Sequence, residues 1–182
     1  MNIYLIGYRC TGKSSVGRCL ADGLDMAFAD ADDIFEQRAG ACIADFVAKN
    51  GWDAFRDTET QILADLSRQT GLVVATGGGA VLRPENVSAM NKSGIVVWLT
   101  ARPETIVLRM QADPATGSRR PALGTDPVFQ EVVETLDYRT PLYKNACRMQ
   151  IATDDKDTDR ICHDLVLQIR SRYGRQYLRN PV

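Results

Sequence analysis

The sequence contains a single histidine, His163, and no apolar run longer than the five residues of Ile95–Leu99. A membrane-spanning helix needs roughly 18 apolar residues, so we expect no membrane insertion and no membrane partner. The start of the chain has no basic segment and no cleavage site of a signal peptide.

The five cysteines form no CxxC pair, which argues against a zinc site and indicates reduced thiols in a cytoplasmic protein. Net charge is also small: 22 basic and 23 acidic residues give −1, so no overall field favours nucleic acid.

Short apolar runs alternate with helical patterns along the chain. Most of these runs are continuous, as is typical of parallel strands that are buried on both faces of a sheet. This alternation predicts one doubly wound α/β domain over residues 1–182. The predicted strands are Ile3–Ile6, Met26–Ala29, Leu72–Ala75, Ile95–Leu99 and the weaker Met149–Ile151.

One segment, residues 111–125, differs from the rest in composition. It is rich in Gly, Pro, Ala, Ser and Thr, and it carries Arg119 and Arg120 side by side. Such a composition is typical of a surface loop, and we interpret the segment as a mobile lid and not as a second domain. A lid can bring a guanidinium onto a transferring phosphoryl group, although a solvated loop tip fits the same pattern.

The strongest motif follows the first predicted strand and reads G-x-x-x-x-G-K-S from Gly7 to Ser14. Gly12 removes a side chain where the backbone must approach a polyphosphate. The helix that begins near Lys13 directs free N–H groups and its positive dipole end at the same anion. Lys13 is predicted to neutralise the β- and γ-phosphate oxygens, and the Ser14 hydroxyl to ligate Mg²⁺. The motif therefore predicts a site for a nucleotide with its Mg²⁺.

An acidic partner for this Mg²⁺ is expected at the end of another strand. Neither the third nor the fourth predicted strand ends in an acid, whereas the second leads into Asp30-Ala31-Asp32-Asp33. We predict that Asp30 lies on the metal side and acts through water. Asp32, which points the same way if the chain is still extended, would face a substrate hydroxyl. Helix capping is the alternative role, and it suits Asp33 best because Glu36 follows at capping-box spacing.

Two arginines and a triple glycine are weaker signals. Arg56 lies one helical turn before Glu59, which fits a surface ion pair as well as a functional role. Arg139 precedes Pro141 closely, so we place it in the last turn of a helix, where it could instead stabilise the helix dipole. Gly77–Gly79 supplies bare backbone amides, which suit an anionic substrate or a plain turn.

In combination these motifs resemble the shikimate kinase family over nearly the whole chain. The matching strings are the phosphate loop with Ser15–Arg18, Asp30–Asp32, Ile43–Phe46, Phe55–Glu59, Thr76–Ala80, Arg120–Leu123 and Arg139–Tyr143. The resemblance implies a three-layer αβα sandwich with a five-stranded parallel sheet, of the P-loop NTPase type that nucleoside monophosphate kinases also use. It implies transfer of the ATP γ-phosphate to the 3-hydroxyl of shikimate, which gives shikimate 3-phosphate and ADP in aromatic amino acid biosynthesis.

The resemblance also assigns roles to individual residues. Asp32 would hold the shikimate hydroxyls and polarise the attacking one, while Arg56 and Arg139 would clamp the carboxylate. The implied catalytic residues are Lys13, Asp32 and Arg120. The implied nucleotide site comprises Cys10, Thr11, Gly12, Lys13, Ser14, Ser15, Arg109 and Arg120, with Arg109 near the adenine. The implied shikimate site comprises Asp32, Arg56, Gly77, Gly78, Gly79 and Arg139, and the metal side comprises Ser14 and Asp30.

The chain departs from the family pattern at two positions, and other functions stay open at this point. Cys10 stands where the family usually has a further loop glycine, and Ala122 where leucine is commoner. A gluconate kinase or a nucleoside monophosphate kinase would use the same scaffold. A silent ATP-binding regulatory domain would be expected to lose Lys13, Asp32 or the lid arginine, and all are present. No surface stripe indicates a protein partner, so we expect a monomer.

Overall fold

The computed structural model describes residues 1–112 and 127–174. Its strands are β1 (Asn2–Ile6), β2 (Ala27–Asp30), β3 (Leu72–Ala75), β4 (Gly94–Thr100) and β5 (Met149–Ala152). Its helices are α1 (Lys13–Leu24), α2 (Ala31–Ala39), α3 (Ile43–Ser67), α4 (Pro84–Ser93), α5 (Pro103–Ala112), α6 (Pro127–Ala146) and α7 (Thr158–Tyr173), with a short 3₁₀ turn at Ala80–Leu82. The predicted strands are confirmed to within one residue at each end.

The strands form one parallel sheet in the order β2-β3-β1-β4-β5. Alternate residues of β1 enter opposite cores: Tyr4 and Ile6 pack under α2, α3, α4 and α6, whereas Ile3 and Leu5 pack under α1 and α7. Helices thus cover both faces, and the predicted αβα sandwich is confirmed. Burial on both faces is also why the strand sequences are continuously apolar.

The carboxyl ends of the parallel strands meet at one edge of the sheet. The segment after β1 is the phosphate loop, the segment after β2 opens α2, and the segment after β3 is Gly77–Gly79. Since β1 lies between β3 and β4, the order of connection reverses beside the phosphate loop. Open α/β sheets bind ligands at such a switch point, and the predicted residues of the phosphate loop, Asp30, Asp32 and Gly77–Gly79 lie at this edge.

The start of α2 differs from the prediction. Asp30 is the residue that caps this helix, because its Oδ1 accepts a hydrogen bond from the Asp32 amide at 3.0 Å. The prediction that Asp33 caps the helix is wrong: Asp33 lies in the first turn, where its carboxylate is exposed and 3.7 Å from Arg18 Nη2. The helix begins directly where the strand ends, so the capping role falls to the last residue of β2.

The end of α6 also differs. The helix continues through Pro141 to Ala146, so Arg139 lies in its interior and the prediction of a last turn is wrong. Pro141 removes one backbone donor, but Tyr143 and Ala146 beyond it are both buried in the core. Their packing outweighs the lost hydrogen bond.

Part of the predicted lid lies in α5, which includes Gln111 and Ala112. The remainder of the lid, with Arg119, Arg120 and Ala122, lies outside the described residues. Among the helices that the structure describes, none is long and apolar enough to cross a membrane.

Candidate active site

The phosphate loop is shaped by two glycines with positive φ. Gly7 has φ 141° and Gly12 has φ 90°, and a Cβ at Gly7 would also collide with the carbonyl oxygen of Leu99. The Thr11 hydroxyl donates to the carbonyl of Tyr8 at 2.8 Å, which ties the two sides of the loop together. No side chain caps the first amides of α1. These amides are therefore available to an anion.

Cys10 adopts the left-handed backbone conformation, with φ 60°. This conformation costs a residue with a side chain about 1–2 kcal/mol, whereas glycine adopts it freely. The preference for glycine that the family resemblance implies here thus has a backbone cause. Cys10 follows the same path at a cost in strain, and its carbonyl accepts a hydrogen bond from Arg109 Nη1 at 3.3 Å.

Lys13 lies buried beneath the loop. Its Nζ donates to the carbonyl oxygens of Gly7 at 3.0 Å and Tyr8 at 2.8 Å. Burial lowers the pKa of this ammonium, while the carboxylates of Asp32 and Asp30 act in the opposite direction. A phosphate that enters the loop would meet a cation that is already desolvated and held in place.

Ser14 and Asp30 lie together at the mouth of the loop, as the metal-side prediction requires. The Ser14 hydroxyl donates to Asp30 Oδ2 at 2.6 Å. Hydroxyl and carboxylate oxygens are the hard donors that Mg²⁺ takes, and it usually keeps several waters beside them. Among the described residues no group of three or more His, Cys, Asp and Glu could hold a metal ion. Mg²⁺ would therefore depend on phosphate and water for its remaining ligands.

A cavity of about 350 Å³ opens beside the phosphate loop and brings together the predicted acceptor residues. The predicted lining residues are Asp32, Arg56, Gly77, Gly78, Gly79 and Arg139. The lining residues that sequence reasoning did not assign are Tyr8, Arg9, Ile43, Trp52, Phe55, Glu59, Glu131 and Thr135. Three arginines, Arg9, Arg56 and Arg139, thus line the cavity, together with the carboxylates of Asp32, Glu59 and Glu131.

Asp32 reaches this cavity from the first turn of α2 and not from an extended chain, so that part of the prediction is wrong. Burial raises its pKa to about 6, with a further upward contribution from Asp30 and an opposing one from Lys13. A Cβ at Gly77 would come within 3.0 Å of Asp32 Oδ1. The bare backbone of Gly77 therefore makes room for the carboxylate of Asp32.

Arg56 and Glu59 form an ion pair inside the protein and not on its surface. Arg56 Nη1 lies 2.6 Å from Glu59 Oε2, and the side chains are 13% and 3% exposed. The interpretation as a surface pair is wrong, because α3 turns both residues towards the cavity. Burial raises the pKa of Glu59, and the charge of Arg56 opposes the shift. Glu59 holds the Arg56 guanidinium at one end of the cavity.

Arg139 and Tyr143 lie one turn apart on α6 and share an acceptor. Arg139 Nη1 donates to the carbonyl of Gly78 at 3.2 Å, and the Tyr143 hydroxyl donates to the same oxygen at 2.5 Å. Among the described residues, Arg139 Nε and Glu59 Oε1 are buried without a hydrogen-bond partner. Leaving such atoms unsatisfied is costly, so a polar ligand in this cavity would gain from pairing with them.

A second cavity, of about 510 Å³, lies on the other side of the phosphate loop. It is lined by the predicted nucleotide residues Cys10, Thr11, Gly12, Ser15 and Arg109, together with Thr153. Arg109 donates to Thr153 Oγ1 at 3.0 Å and to the Thr153 carbonyl at 2.7 Å, which fixes its guanidinium at the cavity wall. The two cavities therefore lie on opposite sides of one phosphate loop.

Two relevant residues were missed by sequence reasoning although their strings were noticed. Glu59 was considered only as the surface partner of Arg56, yet the pair is buried and Glu59 lines the acceptor cavity. Tyr143 ends the Arg139–Tyr143 string, and its spacing of four places it on the same side of α6 as Arg139. Helical spacing could also have indicated the pair of Arg139 and Tyr143, as it did the pair of Arg56 and Glu59.

Comparison with known proteins agrees with this geometry. The family model for shikimate kinase matches residues 9–170. A shikimate kinase from Nitratidesulfovibrio vulgaris is 43% identical over 152 residues, which make up 84% of this chain and 86% of that protein. One from Rhodopirellula baltica is 37% identical, with 95% and 92% covered. The structure of a shikimate kinase from Acinetobacter baumannii in complex with shikimate has a TM-score of 0.85 at 34% identity, and the match covers 94% of each chain.

Proposed function

This chain belongs to the shikimate kinase family, and from that premise we propose that its two cavities bind shikimate and ATP on either side of the phosphate loop. The reaction moves the γ-phosphate of ATP to the 3-hydroxyl of shikimate. The observation that carries the proposal is the acceptor cavity, where Arg56 and Arg139, two of its three arginines, lie with Asp32 beside the loop. Such a pair of cations suits a carboxylate, which a nucleoside monophosphate lacks. Gluconate also carries a carboxylate, and shikimate is preferred over it because the family model and the relatives are shikimate kinases.

The experiment that tests this function is release of ADP with a panel of acceptors: shikimate, gluconate, AMP, CMP and water. We expect turnover with shikimate to exceed that with every other acceptor by a wide margin. Equal or greater turnover with gluconate or a nucleotide would contradict the proposal, and so would release of ADP in water alone. No turnover with any acceptor would favour a silent nucleotide-binding domain.

Asp32 is assigned to the acceptor hydroxyl. A secondary alcohol is too weak an acid to ionise unaided, so a carboxylate must orient it and accept its proton as the bond to phosphorus forms. A carboxyl whose pKa is raised to about 6 is a stronger base than an ordinary aspartate, and it is still ionised at neutral pH. Asp32 would thus hold the hydroxyl proton while Lys13 holds the phosphate oxygens.

Arg56 and Arg139 are assigned to the shikimate carboxylate. The guanidinium of Arg56 is held by Glu59, whereas Arg139 has a buried Nε without a protein partner among the described residues. A carboxylate that pairs with both cations would satisfy this donor by a charge-assisted hydrogen bond. The backbone of Gly77–Gly79 would complete the cavity because it carries no side chains there.

We expect Arg139→Ala to raise the KM for shikimate by roughly tenfold to 150-fold and to leave the KM for ATP nearly unchanged. The variant loses one charge-assisted contact worth about 1.5–3 kcal/mol. Arg56→Ala should have a similar effect on shikimate, and it should also lower the free energy of unfolding by roughly 3–5 kcal/mol because Glu59 is left buried and unpaired. Steady-state kinetics and urea unfolding measure the two effects separately.

Arg68→Ala provides the matched control for the arginine variants, since Arg68 pairs with Asp65 on an exposed part of the chain. It should change neither KM. Equal rises in the KM for both substrates in Arg139→Ala would refute the assignment and indicate a folding defect.

Mg²⁺ is the cation that we propose at Ser14 and Asp30, whose oxygens lie 2.6 Å apart. When bound, it would neutralise charge on the β- and γ-phosphates. Asp30→Asn keeps an oxygen that can cap α2 but removes the negative charge. We expect this variant to need roughly tenfold or more Mg²⁺ for half-maximal activity. A titration of activity with Mg²⁺ tests this, with Asp33→Asn as the control, and an unchanged requirement would remove Asp30 from the metal side.

Further proposals concern the chain as a whole. We propose one domain over residues 1–182 that works as a monomer in the cytoplasm, with small molecules as its partners and no nucleic acid. Support comes from the net charge of −1 and from the absence of any disulfide among the five cysteines, all of which lie within the described residues. Arg120 lies outside those residues, and its assignment to the ATP phosphates rests on the family resemblance alone.

A further inference from the structure

Gly78 contacts both α6 and the phosphate loop. Its carbonyl oxygen accepts hydrogen bonds from both Arg139 and Tyr143 of α6. A Cβ on Gly78 would lie 3.3 Å from the Arg9 amide and 3.4 Å from the Gly7 carbonyl oxygen, so this glycine packs against the phosphate loop. A small displacement of Gly78 would therefore move both the acceptor cavity and the loop.

The neighbouring glycines, Gly77 and Gly79, also have no room for a side chain. A Cβ on Gly77 would collide with Glu59 Oε1 and approach Asp32, and one on Gly79 would collide with the guanidinium of Arg56. The glycine segment is thus in close contact with the groups assigned to shikimate. Its position determines where those groups can lie.

Tyr143 is itself held firmly by the core. Its side chain is 1% exposed, and its ring stacks on Trp98 with centroids 5.5 Å apart and an interplanar angle of 24°. Trp98 pairs in the sheet with Ile6, the residue just before the phosphate loop. Burial raises the pKa of the Tyr143 hydroxyl to about 12, so it stays a neutral donor at physiological pH.

We propose that Tyr143 is a positioning residue for the acceptor site, because its hydroxyl holds the Gly78 carbonyl when Arg139 turns to the substrate carboxylate. Without a ligand, the carbonyl has two donors. When the ligand draws Arg139 away, the bond from Tyr143 keeps the half-buried carbonyl satisfied and the glycine segment in place. Without the Tyr143 hydroxyl, capture of Arg139 would leave that carbonyl with no donor from α6, and shikimate binding would have to meet this cost. This inference rests on the proposed role of Arg139.

The test compares Tyr143→Phe with Tyr4→Phe. Tyr4 is a matched control: it is fully buried in the same core, and its hydroxyl bonds to Ser93 Oγ at 2.7 Å, near the opposite edge of the sheet. The Tyr4 hydroxyl also accepts a hydrogen bond from Asn2 Nδ2 at 3.1 Å, so Tyr4→Phe should lower the urea midpoint at least as much as Tyr143→Phe. Only Tyr143→Phe should raise the KM for shikimate, by about threefold to tenfold, while kcat and the KM for ATP change less than about twofold.

A double-mutant cycle shows whether Tyr143 acts through Arg139. In an Arg139→Ala background, Tyr143→Phe should change the KM for shikimate by less than about twofold. Without the arginine, the Gly78 carbonyl has the same donors before and after shikimate binds, so binding no longer carries the cost of leaving it unpaired. The proposal is overturned if the effects of the two substitutions multiply, or if Tyr143→Phe behaves like Tyr4→Phe. Lack of turnover of shikimate by the wild-type protein would instead refute the proposed function, so the two failures are distinguishable. Calorimetric titration of the folded variants with shikimate gives the same comparison without turnover.

Discussion

Lys13→Ala should lower kcat by about 100-fold or more. Lys13 is the buried cation beneath the phosphate loop, and its Nζ is already fixed by the carbonyls of Gly7 and Tyr8. Charge that develops on the transferring phosphoryl group would be stabilised by this ammonium, which needs no rearrangement to meet it. Removal of such a preorganised electrostatic contact typically costs 100-fold or more in kcat.

The measurement is steady-state release of ADP at saturating ATP and shikimate. Lys92→Ala serves as the control, because Lys92 is exposed in the last turn of α4. A Lys13→Ala variant that keeps more than about a tenth of wild-type kcat would exclude this role for the lysine. The stability of the variant should also be measured by urea unfolding, because the carbonyls of Gly7 and Tyr8 lose the lysine donor, and the Tyr8 carbonyl keeps the Thr11 hydroxyl.

Asp32→Asn should also lower kcat by about 100-fold or more, the usual span for loss of a general base. Asparagine keeps the size of the side chain and much of its hydrogen bonding, but it has neither the charge nor the basicity to accept the hydroxyl proton. Nucleotide affinity, measured by calorimetric titration with ADP, should change little. Stability should also change little, because Asp30 and not Asp32 caps α2.

Asp33→Asn is the matched control for Asp32→Asn, since the two residues are adjacent in the first turn of α2. The Asp33 carboxylate is exposed and faces Arg18, so its variant should have nearly wild-type turnover. If Asp33→Asn were the inactive variant and Asp32→Asn were active, the acceptor site would have to be reassigned to the other side of α2.

The strands and the phosphate loop could be predicted from the sequence because each depends on local pattern. A strand buried on both faces must be apolar throughout, and Ile95–Leu99 illustrates how clearly that shows. The phosphate loop needs glycine at positions of positive φ, and Gly12 meets that need. The proximity of Ser14 and Asp30 followed from the rule that carboxyl ends of parallel strands share one edge.

What could not be predicted depends on contacts between distant parts of the chain. The spacing of Arg56 and Glu59 shows that they can pair, but only the fold shows that the pair is buried. Pro141 indicated a helix end, and the core packing of Tyr143 overrode it. Among Asp30, Asp32 and Asp33 the capping role was assigned to the wrong residue, because a shift of a few residues in the helix start changes which one caps.

The strand order has a consequence for how the protein acquires its activity during synthesis. β1 pairs with β3 and β4, and Ile3 lies opposite both Val73 and Ile95. The residues of the phosphate loop leave the ribosome before those of β3 and β4, and the strand that holds them gains its second neighbour only after α4 has been made. Closing such long loops carries an entropic cost that delays these pairings. A nascent chain that ends within α4 would therefore contain the whole phosphate-loop sequence and still lack β4, whose Leu99 carbonyl packs against Gly7 of the loop.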